Sequence, residues 1–105
     1  MENKYSKISF AEAKEILDND ANAVLLDVRE EAEYITGHAV DAVLLPLREL
    51  DAVSAAETIP SHDTPVLVYC RSGRRSREAA LILAELGYTE VYDIGSLIGW
   101  PYGTE

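Results

Sequence analysis

The chain has 105 residues, 48% of them apolar, and its nine Lys or Arg against nineteen Asp or Glu give a formal net charge of −10. That size predicts one domain, 1–105, with a core large enough to need no disulfide staple, and the one cysteine excludes an internal disulfide framework and a cysteine-based zinc site. The acidity argues against nucleic-acid binding, no apolar run is long enough to span a bilayer, Met1 to Phe10 lacks a signal-peptide pattern, and a lone free thiol suits a reducing cytoplasm.

In chain order, Ser9-Phe10-Ala11-Glu12 fits a capping box, and Ala13, Ile16 and Leu17 follow at helical spacing, which predicts a helix over 10–19. Residues 19–22 are a break. Residues 24–28, Val-Leu-Leu-Asp-Val, are an apolar run with one polar residue, as in a strand buried on both faces. A short helical turn over 30–35 ends at Gly37. A brief strand over 43–45 stops at Pro46. A weaker helical pattern over 47–57 ends before Pro60. After a polar turn at 61–64 comes a strand over 65–69. Ala79, Ala80, Leu83 and Leu86 then mark a helix over 76–86, with Gly87 placed to terminate it. A last strand covers 90–94. Strands and helices alternate, which predicts an α/β domain with a parallel sheet and right-handed crossovers. Such sheets bind ligands beyond the carboxyl ends of their strands.

Cys70 stands at such a point, after a strand and ahead of a helix. Residues 70–77 contain four arginines and no acid, so the remainder of the chain carries −14. Cationic side chains and a helix N-terminus favour the thiolate, the nucleophilic form of cysteine. The backbone amides of 71–76 can curl round an anion, and Gly73 permits the turn this needs. The expected site is therefore Cys70 as the catalytic nucleophile with Arg71, Ser72, Gly73, Arg74, Arg75 and Ser76 as the substrate-binding loop. Four arginines cannot all face one sulfur. Arg75, last in the loop, is the first choice for that place, Arg71 and Arg74 suit the rim, and Arg77 reads as a solvated helix residue. The two histidines have no metal-ligand spacing, so no metal is expected. Asp27 and Arg29 read as a structural pair tying neighbouring loops. His62 reads as an exposed turn residue, and Trp100 as core closure. The acidic remainder would select a basic partner protein.

Three segments carry a resemblance to the rhodanese family of single-domain sulfurtransferases. Leu26-Asp27-Val28-Arg29-Glu30 with Glu33-Tyr34 and Gly37-His38 is similar to the family's D-V-R-E…E-Y…G-H segment. Leu45-Pro46-Leu47 resembles the end of its G-A-x-N-I-P-L segment, and Cys70-Arg71-Ser72-Gly73-Arg74-Arg75-Ser76 its C-R-x-G-x-R-S loop. Asp41 stands where the family often has Gly, Leu44 where it often has Asn, and Gly95-Ser96 replaces a usual Gly-Gly. The resemblance implies a three-layer α/β fold, a mostly parallel central sheet with helices on both faces. His38 would then support the Gly-His turn. The implied chemistry is sulfur transfer through a Cys70 persulfide, from a small anionic donor such as thiosulfate to cyanide, a thiol or a protein acceptor, with no cofactor. Related phosphatases have Cys-x5-Arg, whereas four residues separate Cys70 from Arg75 here. A cysteine phosphatase or arsenate reductase, and a non-catalytic rhodanese-like binding module, are the competing expectations.

Overall fold

The computed structural model describes residues 4–105. In chain order the elements are β1 (Ser6–Lys7), α1 (Phe10–Asn19), β2 (Val24–Asp27), α2 (Glu31–Thr36), β3 (Val43–Leu44), a 3-10 turn (Leu47–Glu49), α3 (Ala52–Thr58), β4 (Val66–Cys70), α4 (Arg74–Glu85) and β5 (Val91–Ser96). The strands form one sheet in the order β1-β5-β4-β2-β3, and every pairing is parallel.

The central strand β4 is buried along its whole length. Its alternating side chains enter two separate cores, as the period of two in a strand requires. Val66, Val68 and Cys70 join Leu26, Ile59, Ala79, Ala80 and Leu83 on the side covered by α3 and α4. Leu67 and Tyr69 join Ala13, Leu25 and Ile94 on the side covered by α1. The fold is thus the three-layer α/β arrangement, with helices on both faces of a parallel sheet. The ring of Trp100 meets Phe10 edge-on at 5.3 Å and Tyr102 at 5.0 Å, closing the second core.

Local signals explain most element ends. Ser9 Oγ accepts from the Glu12 amide at 3.1 Å, and the Glu12 carboxylate accepts from the Ser9 amide at 2.9 Å, a complete capping box for α1. The helical pattern over 47–57 is two elements, not one. Buried Leu50 adopts an extended backbone between them, and Asp51 caps α3 by accepting from the Ser54 amide at 2.8 Å. The helix expected at Ser76 begins at Arg74, because Gly73 turns the chain with φ +93°. β1 is an element without a sequence signal. It is two exposed polar residues held to β5 by backbone pairing, which leaves no hydrophobic pattern to read.

Candidate active site

Cys70 is the last residue of β4, and its side chain is fully buried under the turn into α4. Two backbone amides point at Sγ: Gly73 N at 2.9 Å and Ser76 N at 3.3 Å. Both come from the turn that Gly73 makes possible and the first residues of α4, where helix amides have no internal partner. Ser76 is buried, and its hydroxyl donates to Gly73 O at 3.2 Å, closing the loop on itself. Arg71, Ser72 and Arg74 are exposed on the rim, and Arg77 is exposed on α4.

Arg75 lies differently from the place the sequence suggested. Its guanidinium grips Glu33 of α2 with two bonds, Nη1 to Oε1 at 2.7 Å and Nη2 to Oε2 at 3.0 Å. The Arg75 bonds hold the Glu33 carboxyl down at about 2, well below its ordinary 4.5. Arg75 is in turn pushed further up, first by Glu33 and to a lesser extent by charge on Cys70. The pair thus ties the start of α4 to α2 while remaining within electrostatic reach of the sulfur. No local signal marks this role for Glu33, because its partner lies 42 positions away.

A second support comes from β5. The β4–β5 register shifts between Val68 and Tyr69, so that Val68 faces Asp93 but Tyr69 faces Gly95. This bulge adds one residue and bends the strand. Gly95 takes φ +87° there, and its amide donates to the buried Asp93 carboxylate at 2.8 Å. The bend brings Gly95 beneath the loop: a Cβ on Gly73 would lie 3.7 Å from Gly95 Cα. Ser96 Oγ then donates to Arg71 O, and Leu97 N donates to Cys70 O at 2.9 Å. The Gly-Ser pair thus supplies a hydroxyl tether to the active loop that a second glycine would lack.

Asp27 and Arg29 lie beside this framework. Arg29 donates through Nε to Asp27 Oδ1 at 2.9 Å, and through Nη2 to Asp27 Oδ2 and Gly37 O, both at 2.7 Å. The Tyr69 hydroxyl donates to Asp27 Oδ2 at 2.6 Å and accepts from the Ala39 amide at 3.1 Å. Burial, then the bond to Asp27, pushes the Tyr69 hydroxyl well above its ordinary value. These bonds fasten β2 and β4 to the segment after α2. His38 stacks on Tyr34 at 3.7 Å with Nδ1 at 3.0 Å from Tyr34 O. His62, although exposed, stacks on Tyr88 at 4.4 Å. Arg29, Arg71, Leu97, Ile98, Trp100 and Thr104 border a cleft of about 330 Å³ beside the loop.

Comparison with known proteins agrees with this geometry. The Rhodanese-like domain family model matches residues 9–100. Thiosulfate sulfurtransferase PspE of Escherichia coli (strain K12) is 39% identical over 72 residues, covering 69% of this chain and 68% of its own length. A solved structure described as a rhodanese with anions from E. coli superposes with a TM-score of 0.74 at 34% identity, covering 79% of this chain and 96% of that one. The human single-domain sulfurtransferase TSTD1 shares the fold, with a TM-score of 0.75 at 22% identity over 94% of this chain and 96% of its own. A parallel sheet with a cysteine loop at the end of its central strand, together with a family match over nearly the whole described chain, places this protein in the rhodanese-like domain family.

Proposed function

We propose that this protein is a sulfurtransferase of the thiosulfate type, acting as a single domain through a persulfide on Cys70. The observation that carries this reading is the pair of amides from Gly73 and Ser76 aimed at Sγ. Fixed N–H donors around a sulfur stabilise its anion without reorganising, the same advantage they give any developing negative charge.

In the first half-reaction the Cys70 thiolate attacks the outer sulfur of thiosulfate. The donor's S–S bond breaks, sulfite leaves with the electron pair, and Cys70 carries the persulfide. Arg71, Ser72 and Arg74 on the rim meet the anionic donor, guanidinium forks being suited to oxyanions. In the second half-reaction an acceptor nucleophile, cyanide or a thiolate, attacks the outer sulfur and Cys70 is released as thiolate. Atoms and electrons balance without a metal or organic cofactor. Cys70 is the only cysteine, so no internal thiol can take the sulfur, and the acceptor comes from outside. A reducing compartment such as the cytoplasm would keep the thiol free.

Phosphate chemistry is less well supported. The Cys-x5-Arg position is Ser76 here, and Arg75, one residue earlier, has both terminal nitrogens bonded to Glu33.

The test is intact mass of the reduced protein after mixing with thiosulfate, beside Cys70→Ser. The expected result is a gain of one sulfur atom on the unmodified protein only, removed by cyanide. No gain, with Cys70 still quick to alkylate, would overturn the reading. Cys70-dependent turnover of an aryl phosphate or of arsenate would replace it with the phosphatase or reductase alternative. A thiol inert to every donor and substrate would leave a binding module.

A further inference from the structure

The cations of this chain are distributed unevenly between paired and bare. Among the described residues, Lys7, Lys14, Arg29, Arg48 and Arg75 each lie within 4.0 Å of a carboxylate. Arg71, Arg74 and Arg77 form no such pair with any described carboxylate, and the one other cation among the described residues without such a pair is Lys4, far from the loop in sequence. The three arginines fall within one stretch of seven residues, 71–77, and all are exposed. The phase of α4 explains why. Ser76, Ala79, Ala80 and Leu83 face the core, which turns Arg74 and Arg77 outward on one stripe with Leu81, a side chain left 47% exposed. Glu78 flanks that stripe one turn along. On the other side of the loop, Arg71 borders the 330 Å³ cleft with Leu97 and with Ile98, which is 73% exposed. The segment that follows Cys70 thus presents three bare arginines to solvent, with the exposed aliphatic side chains of Ile98 on one side and Leu81 on the other.

The net charge of −10 would favour a basic partner, but an approaching chain does not feel the net charge. At physiological ionic strength the screening length is about 8 Å, so a docked segment responds to the charges beside it. The unpaired ones on the segment 71–77 are all positive. Bare arginines are also weakly hydrated for cations and donate bidentately to carboxylates, which suits them to an interface.

Resting on the sulfurtransferase reading, we infer that this face docks an acidic protein segment carrying the acceptor cysteine. Carboxylates of the segment pair with Arg71, Arg74 and Arg77, and its apolar side chains cover Ile98 and Leu81. The partner's thiolate then attacks the outer sulfur of the Cys70 persulfide. The Cys70 sulfur bond to it breaks, Cys70 leaves as thiolate, and the partner holds the persulfide. No oxidant or reductant is needed.

The test uses the full chain loaded with thiosulfate. Three short synthetic peptides serve as acceptors, each with a central leucine–cysteine pair flanked by glutamates, glutamines or lysines. Sulfur transfer to each is timed by mass at low and at physiological salt. The glutamate peptide is expected to react about tenfold faster than the glutamine peptide at low salt, with the gain shrinking as salt rises. Arg77→Glu should abolish most of that gain while loading from thiosulfate stays within about twofold, a control that also reports folding. Equal rates for all peptides, or a fastest lysine peptide, would overturn the docking alone. Failure of the unmodified protein to load would overturn the sulfur-transfer reading and the docking with it.

Discussion

At the scale of single residues, one backbone position is occupied against conformational preference. Asp41 is, among the described residues, the non-glycine residue with a positive φ, +68°. That region costs a residue with a Cβ roughly 1–2 kcal/mol, less for Asp than for most. Asp41→Gly removes the strain but loosens the unfolded chain. A net gain of about 0.5 kcal/mol is expected in urea denaturation; a loss would show that the carboxylate contributes more than its backbone costs. Glu33 is the opposite case, a residue whose whole value lies in a distant contact. Glu33→Ala leaves Arg75 without its bidentate partner and frees the start of α4 from α2. Because both side chains are partly exposed, the expected stability loss is only about 1 kcal/mol. The expected kinetic effect is larger, a several-fold slower gain of sulfur mass from thiosulfate, since Ser76 follows directly on Arg75 and supplies one of the two amides on Sγ.

At the scale of elements, the site depends on one turn between β4 and α4. A Cβ at Gly73 would meet Gly95 only at ordinary contact distance, so space is not what requires glycine there. The φ of +93° does. Gly73→Ala is expected to cost about 1–2 kcal/mol and to pull the amide of residue 73 off Sγ, so that persulfide formation falls more than stability does. Normal loading from thiosulfate in a destabilised Gly73→Ala protein would show that this amide is dispensable. The elements around the turn were legible to different degrees. α1 could be read from Ser9, Glu12 and the spacing of Ala13, Ile16 and Leu17, since its cap and its apolar face are both local. The split at Leu50–Asp51 was not. Leu50 fits the helical apolar pattern, yet burial pulls it out of the helix while Asp51 starts a new one. The two-residue β1 is stabilised by pairing alone, which no local signal records.

At the scale of the whole molecule, the acid limb of stability has a predicted window. The folded value of Glu33, about 2, lies below its ordinary 4.5, so the unfolded chain takes up this proton first. The contribution of the Glu33–Arg75 pair is therefore complete above pH 4.5 and is lost as pH falls through 4.5 and on past 2. Urea midpoints across that range should fall more steeply for the unmodified protein than for Glu33→Ala; parallel curves would place the acid sensitivity elsewhere. The charge map is a property of the same scale. Composition shows only an excess of acids, whereas among the described residues five cations are paired and Arg71, Arg74 and Arg77 of the cysteine loop and the start of α4 are not.

By itself the sequence determined the α/β class with a parallel sheet and the position of Cys70 at the end of a strand. Hydrophobic period, caps and turn residues are local, and the carboxyl end of a parallel strand is a binding edge wherever it occurs. Tertiary structure alone decided what surrounds the sulfur. Which amides reach it depends on how far Gly73 turns the chain. Whether Arg75 faces it depends on a carboxylate 42 residues away. Whether the loop is held from below depends on a bulge in β5 and the hydroxyl of Ser96. Each of these is a contact between segments far apart in the chain, and a one-dimensional pattern carries no distance between them.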